Sequence, residues 1–281
     1  MRKFIINLTI FGLLFFVYDK LFIVFKDYSA DKEIDKRLEL VLTGKMNKEI
    51  IILGSSRGAN NIIAGEIEKE LGETAFNLSY PASDVTFHDF LLRALVKYNK
   101  PPKTLLLAID DPLELLPTNT QVFRFERLYP LVKYDFVNQE MVDKGVKNKL
   151  VSELFVLHQI NKSNLNLNQK KFSPEDTIMP CGSMPISFQR AGRKWVYEHS
   201  NTNYSISNEV AEKLNSFKNI MKICEQYKIK LILITTPNYR NRNLRFEQRI
   251  QQLSAKQAVF YQFNNANAIY KNKDYFYDES H

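Results

Sequence analysis

Four side chains near the two ends of this chain are of the types that carry out serine-nucleophile chemistry. Ser55 and Ser56 follow directly on the run Ile50–Leu53 and Gly54, and Asp278 precedes His281 on the last stretch of the sequence. An aspartate three residues before a histidine on one loop can orient the imidazole and stabilise its protonated form. The imidazole can then take a proton from a serine hydroxyl. A serine set beside a helix N-terminus has backbone N–H groups directed at the carbonyl it attacks. Each half also has a plainer reading, since serine is a preferred helix N-cap and polar residues at a chain end are commonly just exposed. The order of the intervening elements decides whether the halves meet.

Those elements alternate. Ile50–Leu53 is a continuous branched apolar run, the pattern of a strand covered on both faces. It stops at Gly54, and Ile63, Ile67 and Leu71 then recur four apart, which predicts a helix over 62–71. A second strand is expected over 74–78, followed by a loop of turn formers over 79–84. Phe87, Phe90, Leu91, Leu92, Ala94, Leu95 and Val96 mark a helix that Pro101 and Pro102 stop. A third strand over 103–109 ends in Asp110, Asp111 and Pro112. The rhythm resumes with a helix over 208–227, its face marked by Val210, Leu214, Phe217, Ile220, Met221 and Cys224. A fourth strand over 229–234, a helix over 245–255 and a fifth strand over 258–263 complete it. Such alternation implies a parallel α/β sheet with right-handed crossovers. In that arrangement the loops after the first and last strands emerge on one carboxyl edge, where open α/β folds place their chemistry. Ser56 and His281 are thereby expected to meet. Residues 117–207, rich in proline, asparagine and aromatic clusters, break the alternation and read as an inserted cap region.

The N-terminus suggests a membrane. Arg2 and Lys3 precede an apolar run over 4–18, then Asp19 and Lys20, then a second apolar piece over 21–25. A span of about 22 residues is long enough to cross a hydrocarbon core, and a charged pair near its outer end can lie at the interface. With positive residues before it and no second span, the remainder is expected outside the cytoplasm. The domain reading is therefore a signal anchor over 1–28, a charged stalk over 29–48 and an α/β domain over 49–281; a buried helix is the alternative for the first piece. The net charge of +8 suits an anionic neighbour. The lysines are scattered and no nucleic-acid module is present, so nucleic acid is not expected. Cys181 and Cys224 lack metal-ligand spacing, and their pairing stays open. No glycine-rich phosphate cradle occurs, and neither cofactor nor metal is expected.

On these residues the chain resembles the SGNH/GDSL hydrolase superfamily, in particular its membrane-anchored envelope branch. That branch includes the D-alanyl transfer proteins of teichoic acid modification and the acetylation proteins of exopolysaccharides. The resemblance covers about 50–110 and 208–281 and leaves 117–207 unassigned. It implies a flavodoxin-like five-stranded parallel sheet, a bacterial extracytoplasmic location and ester chemistry, by hydrolysis or acyl transfer, on an envelope polysaccharide or related polymer. Gly54-Ser55-Ser56 stands where the family has Gly-Asp-Ser, which makes Ser56 the nucleophile. Asn77 to Ala82 resembles the second block, with Ala82 in the slot of a glycine whose N–H joins that of Ser56 in the oxyanion hole. Ala108-Ile109-Asp110-Asp111 resembles the third block, with Asp110 in the slot of an asparagine. Asp278-Glu279-Ser280-His281 matches the block that supplies the base, His281, and its orienter, Asp278. The chain ends on that histidine, where the family continues into a closing helix.

Several residues have two readings. Arg57 is either a salt bridge at a helix start or a guanidinium that reads an anionic substrate group, and Asp110 is a second candidate substrate-binding residue. His88 is expected at the surface or in a groove, and His158 and His199 are given no metal role. Arg190, Arg193, Lys194 and Trp195 form either a solvated helix face or a sugar-binding patch. Two classes of function remain: a Ser56-His281-Asp278 esterase or O-acyltransferase, and a non-catalytic binding or scaffold partner of a membrane-embedded O-acyltransferase.

Overall fold

A computed structural model describes residues 1–109, 111–165, 177–186, 203–239, 243–254, 257–263 and 272–278. The chain begins with α1 (Arg2–Leu21), α2 (Ile23–Lys32) and α3 (Arg37–Leu42), followed by β1 (Ile50–Leu53), α4 (Ser56–Asn61), α5 (Ala64–Leu71), β2 (Ala75–Asn77), α6 (Val85–Tyr98) and β3 (Thr104–Ala108). Then come α7 (Phe125–Leu128), α8 (Asp135–Asp143), α9 (Lys149–Leu154), α10 (Val156–Gln159), α11 (Ala211–Tyr227), β4 (Lys230–Thr235), α12 (Leu244–Ser254) and β5 (Ala258–Gln262). These elements fall into two compact units, Met1–Glu39 with Arg124–Lys171, and Leu40–Phe123 with Phe172–His281.

The second unit holds a five-stranded, all-parallel sheet in the order β2-β1-β3-β4-β5. Ile52 is in register with Asn77 on one side and Leu106 on the other, and Leu107 with Leu233. All four residues of β1 are buried, as expected of a central parallel strand. On one face Ile50, Ile52, Ala75 and Ala108 pack with Ile62 and Ala64. By the alternation of the strand, Ile51 and Leu53 face the opposite side. Each aliphatic side chain buried in this way contributes about 1.5–3 kcal/mol. The α6 and α11 helices pack on each other, with Phe87, Phe90, Leu91, Phe217 and Ile220 all fully buried. The strand order reverses between β1 and β3, and in doubly wound sheets the crevice at the carboxyl ends of those two strands is the ligand site.

The helix expected over 62–71 is α5, which starts two residues later, and a second helix, α4, precedes it. Ile62 (φ −115°, ψ 113°) and Ile63 (φ −96°, ψ 101°) are extended and separate α4 from α5, and Leu71 is 63% exposed. The cause is distant in sequence. The Ile62 carbonyl accepts hydrogen bonds from Asn77 Nδ2 (2.9 Å) and Ser183 Oγ (3.0 Å) and is lost to the helix ladder. Ser183 Oγ in turn accepts the Ala64 N–H at 2.9 Å, capping α5 from outside. Gly72, at φ +69°, closes the helix in the left-handed conformation that favours glycine.

The stretch expected as one inserted region divides between the units: α7 to α10 lie in the first, and residues 177–186 in the second. There the Cys181 carbonyl accepts the Asn77 N–H (2.9 Å) and the Ala59 carbonyl accepts the Met184 N–H (2.8 Å). Within the first unit, Phe22 keeps a right-handed helical conformation between α1 and α2. Arg2–Lys32 is the one described helix long and apolar enough to cross a membrane.

Candidate active site

The carboxyl ends of β1 and β3 approach closely because Gly54 has no side chain. A Cβ there would lie 2.8 Å from Ala108 Cβ, closer than packed carbons come. Gly58, one turn on, meets the same limit, with its missing Cβ 2.6 Å from Ser79 Oγ. The two glycines seat α4 directly on the sheet edge. Ser55 occupies the N-cap without a side-chain capping bond, and Ser56 opens the helix. Over residues 53–59 every residue is buried except Ser56, which is partly exposed. Ser56 is thus the partly exposed position in a stretch whose neighbours are buried.

Arg57 is buried, and its Nη2 lies 3.1 Å from Asp111 Oδ2. The pair ties the first turn of α4 to the loop after β3, across the point where the strand order reverses. Asp111 Oδ1 also accepts the Leu113 N–H (2.9 Å) and so caps the short 3-10 turn Pro112–Glu114. This is the helix-start salt bridge of the two readings offered for Arg57.

The loop after β2 is fastened to the end of β1. The Ile52 carbonyl accepts the Leu78 N–H (2.8 Å), and the Gly54 carbonyl accepts the Tyr80 N–H (3.0 Å). Ser83 Oγ lies 2.7 Å from the Tyr80 carbonyl and 3.2 Å from that of Gly54. Within this turn Ala82 has φ +59°, a left-handed conformation that an alanine seldom adopts. Its carbonyl accepts the Val122 N–H at 3.0 Å. Asn77 braces the other side: its Nδ2 donates to the Gly58 carbonyl (2.8 Å) as well as to Ile62, and its Oδ1 accepts the Ser79 N–H (2.9 Å). One amide side chain therefore couples the strand, the loop and both helices that follow β1.

His88, expected at the surface or in a groove, is not at the surface: it is 1% exposed. Its Nε2 lies 2.9 Å from Ser83 Oγ, and its Nδ1 lies 4.0 Å from Glu114 Oε2. Burial pulls its pKa down to about 4, although Asp84 and the Gly54 backbone oppose the shift. His88 is therefore neutral at pH 7 and helps to hold the turn that carries Ala82. A sequence signal for this existed: Leu91 and Leu92 lie three and four residues on, which puts His88 on the apolar face of α6. Asp84 begins that helix, its Oδ1 accepting the Thr86 N–H at 3.1 Å and the Phe87 N–H at 3.3 Å. Lys213 reaches Asp84 Oδ2 at 3.3 Å and the Leu113 carbonyl at 2.7 Å.

Asp278 is partly exposed, two residues after the buried Phe276. The Phe276 ring packs on Tyr239 with centroids 5.7 Å apart, and Tyr239 follows the loop that closes β4. In that loop Thr236 Oγ1 and the Pro237 carbonyl accept from Asn61 Nδ2, at 3.4 and 3.3 Å, at the end of α4. This chain of contacts places the Asp278 segment on the same carboxyl edge as α4. His281, Glu279, Ser280 and Asp110 lie outside the described residues, as do Arg190, Arg193, Lys194, Trp195 and His199. His158 Nε2 accepts the Asn148 N–H at 3.0 Å. Cys181 and Cys224 are free thiols, and burial pushes the Cys224 thiol up to about 12. Among the described residues no three His, Cys, Asp or Glu side chains gather as metal ligands would. No family model, curated protein or solved structure matches this chain.

Proposed function

We propose that the chain is a membrane-anchored, extracytoplasmic serine esterase or O-acyltransferase of the SGNH type. Its substrate class would be the acyl esters of a bacterial envelope polysaccharide or related polymer. The observation that carries this reading is Ser56, the one partly exposed residue between buried neighbours, at the carboxyl edge where the strand order reverses. Support also comes from Ala82, whose left-handed backbone (φ +59°) is the conformation a glycine in that slot would adopt.

In the proposed reaction His281 removes the proton from Ser56 Oγ as that oxygen bonds to the acyl carbonyl carbon. Asp278 orients the imidazole and stabilises its cation. The N–H groups of Ser56 and Ala82 receive the oxyanion, and the preorganised turn means that no donor has to move when charge develops. Collapse breaks the ester C–O bond, and the imidazolium protonates the departing alkoxide. Water, or a hydroxyl of the acceptor polymer, then attacks the acyl-serine by the same route in reverse. Arg57, buried against Asp111, holds the start of α4 in place for this.

The second reading, a non-catalytic partner of a membrane-embedded O-acyltransferase, is favoured by Asp110, a carboxylate where an oxyanion donor is wanted. Deacylation of an O-acetylated envelope polysaccharide, or of an aryl acetate, by the full-length chain separates the two. Ser56→Ala is expected to lower the rate constant by about 10⁴-fold or more. Equal activity in a folded Ser56→Ala protein would overturn the catalytic reading.

A further inference from the structure

Asp19 and Lys20 interrupt an otherwise apolar helix, and the first unit accounts for both. Asp19 is fully buried, and its two carboxylate oxygens accept the N–H groups of Val156 and Leu157, each at 2.8 Å. Lys20 Nζ donates to the Leu154 carbonyl (2.6 Å) and to Asp19 Oδ2 (3.1 Å), and it sits 4.4 Å above the Phe16 ring. The segment over 154–157 is thus clamped to the side of α1. It also extends toward the N-terminal end of the helix, because the Phe155 ring packs on Phe15 (5.8 Å) and Phe16 (6.3 Å). Phe15 is one turn below Asp19, a drop of about 6 Å along the axis.

The helix carried on this clamp leaves apolar side chains uncovered. On α9, Leu150 is 70% exposed, Leu154 56% and Val151 38%, and on α1 Val17 is 63% exposed. We infer that α9 is a second membrane-contacting element, lying in the interfacial layer beside the anchor with Leu150, Val151 and Leu154 inserted among the lipid chains. This rests on the reading of α1 as a membrane anchor. The depth agrees, since interfacial helices bury their apolar faces about 5–10 Å into the headgroup boundary, and the Phe155 contact sets a drop of that size. Lys149 and Glu153, both exposed, flank the patch with opposite charges. The contact is therefore apolar and indifferent to headgroup charge. The partner is the bilayer itself, and the clamp would fix how the first unit stands on its surface.

The test places single tryptophans in the full-length chain, with Trp195→Phe as background, in nanodiscs of phosphatidylethanolamine and phosphatidylglycerol with or without brominated acyl chains. Leu154→Trp and Leu150→Trp probe α9, and Val17→Trp probes the anchor. The expected result is that brominated chains remove most of the fluorescence of all three, while aqueous iodide quenches none of them well. If Val17→Trp is quenched by bromine and both α9 probes are quenched only by iodide, the inference fails and the anchor stands. If Val17→Trp escapes bromine, the anchor reading fails and takes the inference with it. If the α9 probes are shielded from both quenchers, protein and not lipid covers α9, and the inference is overturned.

Discussion

Acid should loosen the carboxyl edge of the sheet through His88. In the native state the imidazole is buried among Ser83, Glu114 and the Gly54 backbone, and its pKa falls from 6.5 to about 4. In the unfolded chain it titrates at the ordinary value, so between pH 6.5 and 4 the unfolded state binds more protons than the native one. Stability therefore rises with pH across that window, and the contribution is fully present above 6.5 and lost as the pH falls to 4. A shift of that size is worth about 3 kcal/mol at the rate of 1.36 kcal/mol per unit. The measurement is urea unfolding of the full-length protein in a non-ionic detergent, at pH 7 and pH 4, beside His88→Gln. Comparing the two proteins removes the titration of the shared groups that do not face residue 88. His88→Gln should be the less stable at pH 7, because Ser83 loses one of its partners, and its deficit should shrink by about 3 kcal/mol at pH 4. A deficit that does not change between the two pH values would refute the argument, and with it the claim that a neutral His88 holds the turn.

Two substitutions test the backbone geometry. Ala82→Gly relieves a left-handed conformation costing about 1–2 kcal/mol but adds about 0.4–1 kcal/mol of unfolded-state entropy, so the variant is expected to be as stable as the parent or slightly more so in the same urea assay. A loss of about 1 kcal/mol, the ordinary penalty for glycine in regular structure, would contradict the positive φ. Gly182→Ala should be costly, because φ is +81° and the new Cβ would lie 2.2 Å from the Asn77 carbonyl oxygen. A destabilisation on the order of 3 kcal/mol is expected, and a neutral result would remove the 177–186 segment from the edge of β2.

The strands were legible because a parallel sheet is written locally. The apolar runs at Ile50–Leu53, Thr104–Ala108 and Lys230–Thr235 each mark a strand without help from distant residues. The break between α4 and α5 could not be read that way. Isoleucines at helical spacing suggest a helix from residue 62 on, and Asn77 and Ser183, which take the Ile62 carbonyl, hold Ile62 and Ile63 out of it. The same holds for Asp19, which seems to spoil a membrane span until the N–H groups of Val156 and Leu157 are seen to bind it. At the sheet edge, the turn that carries Ser56 was legible from the apolar run that stops at Gly54. The burial of His88 follows from the apolar face it shares and not from its residue type. Arg57 has two readings in the sequence since nothing local announces Asp111, its partner 54 residues on.

The central claim is that Ser56 is an activated nucleophile. A fluorophosphonate probe tests it directly: the full-length protein is labelled, digested, and the adduct located by mass spectrometry. The account predicts one adduct, on Ser56, that disappears in Ser56→Ala and is lost or greatly slowed in His281→Ala. A folded protein that takes no label on Ser56, or labels equally without His281, would contradict it.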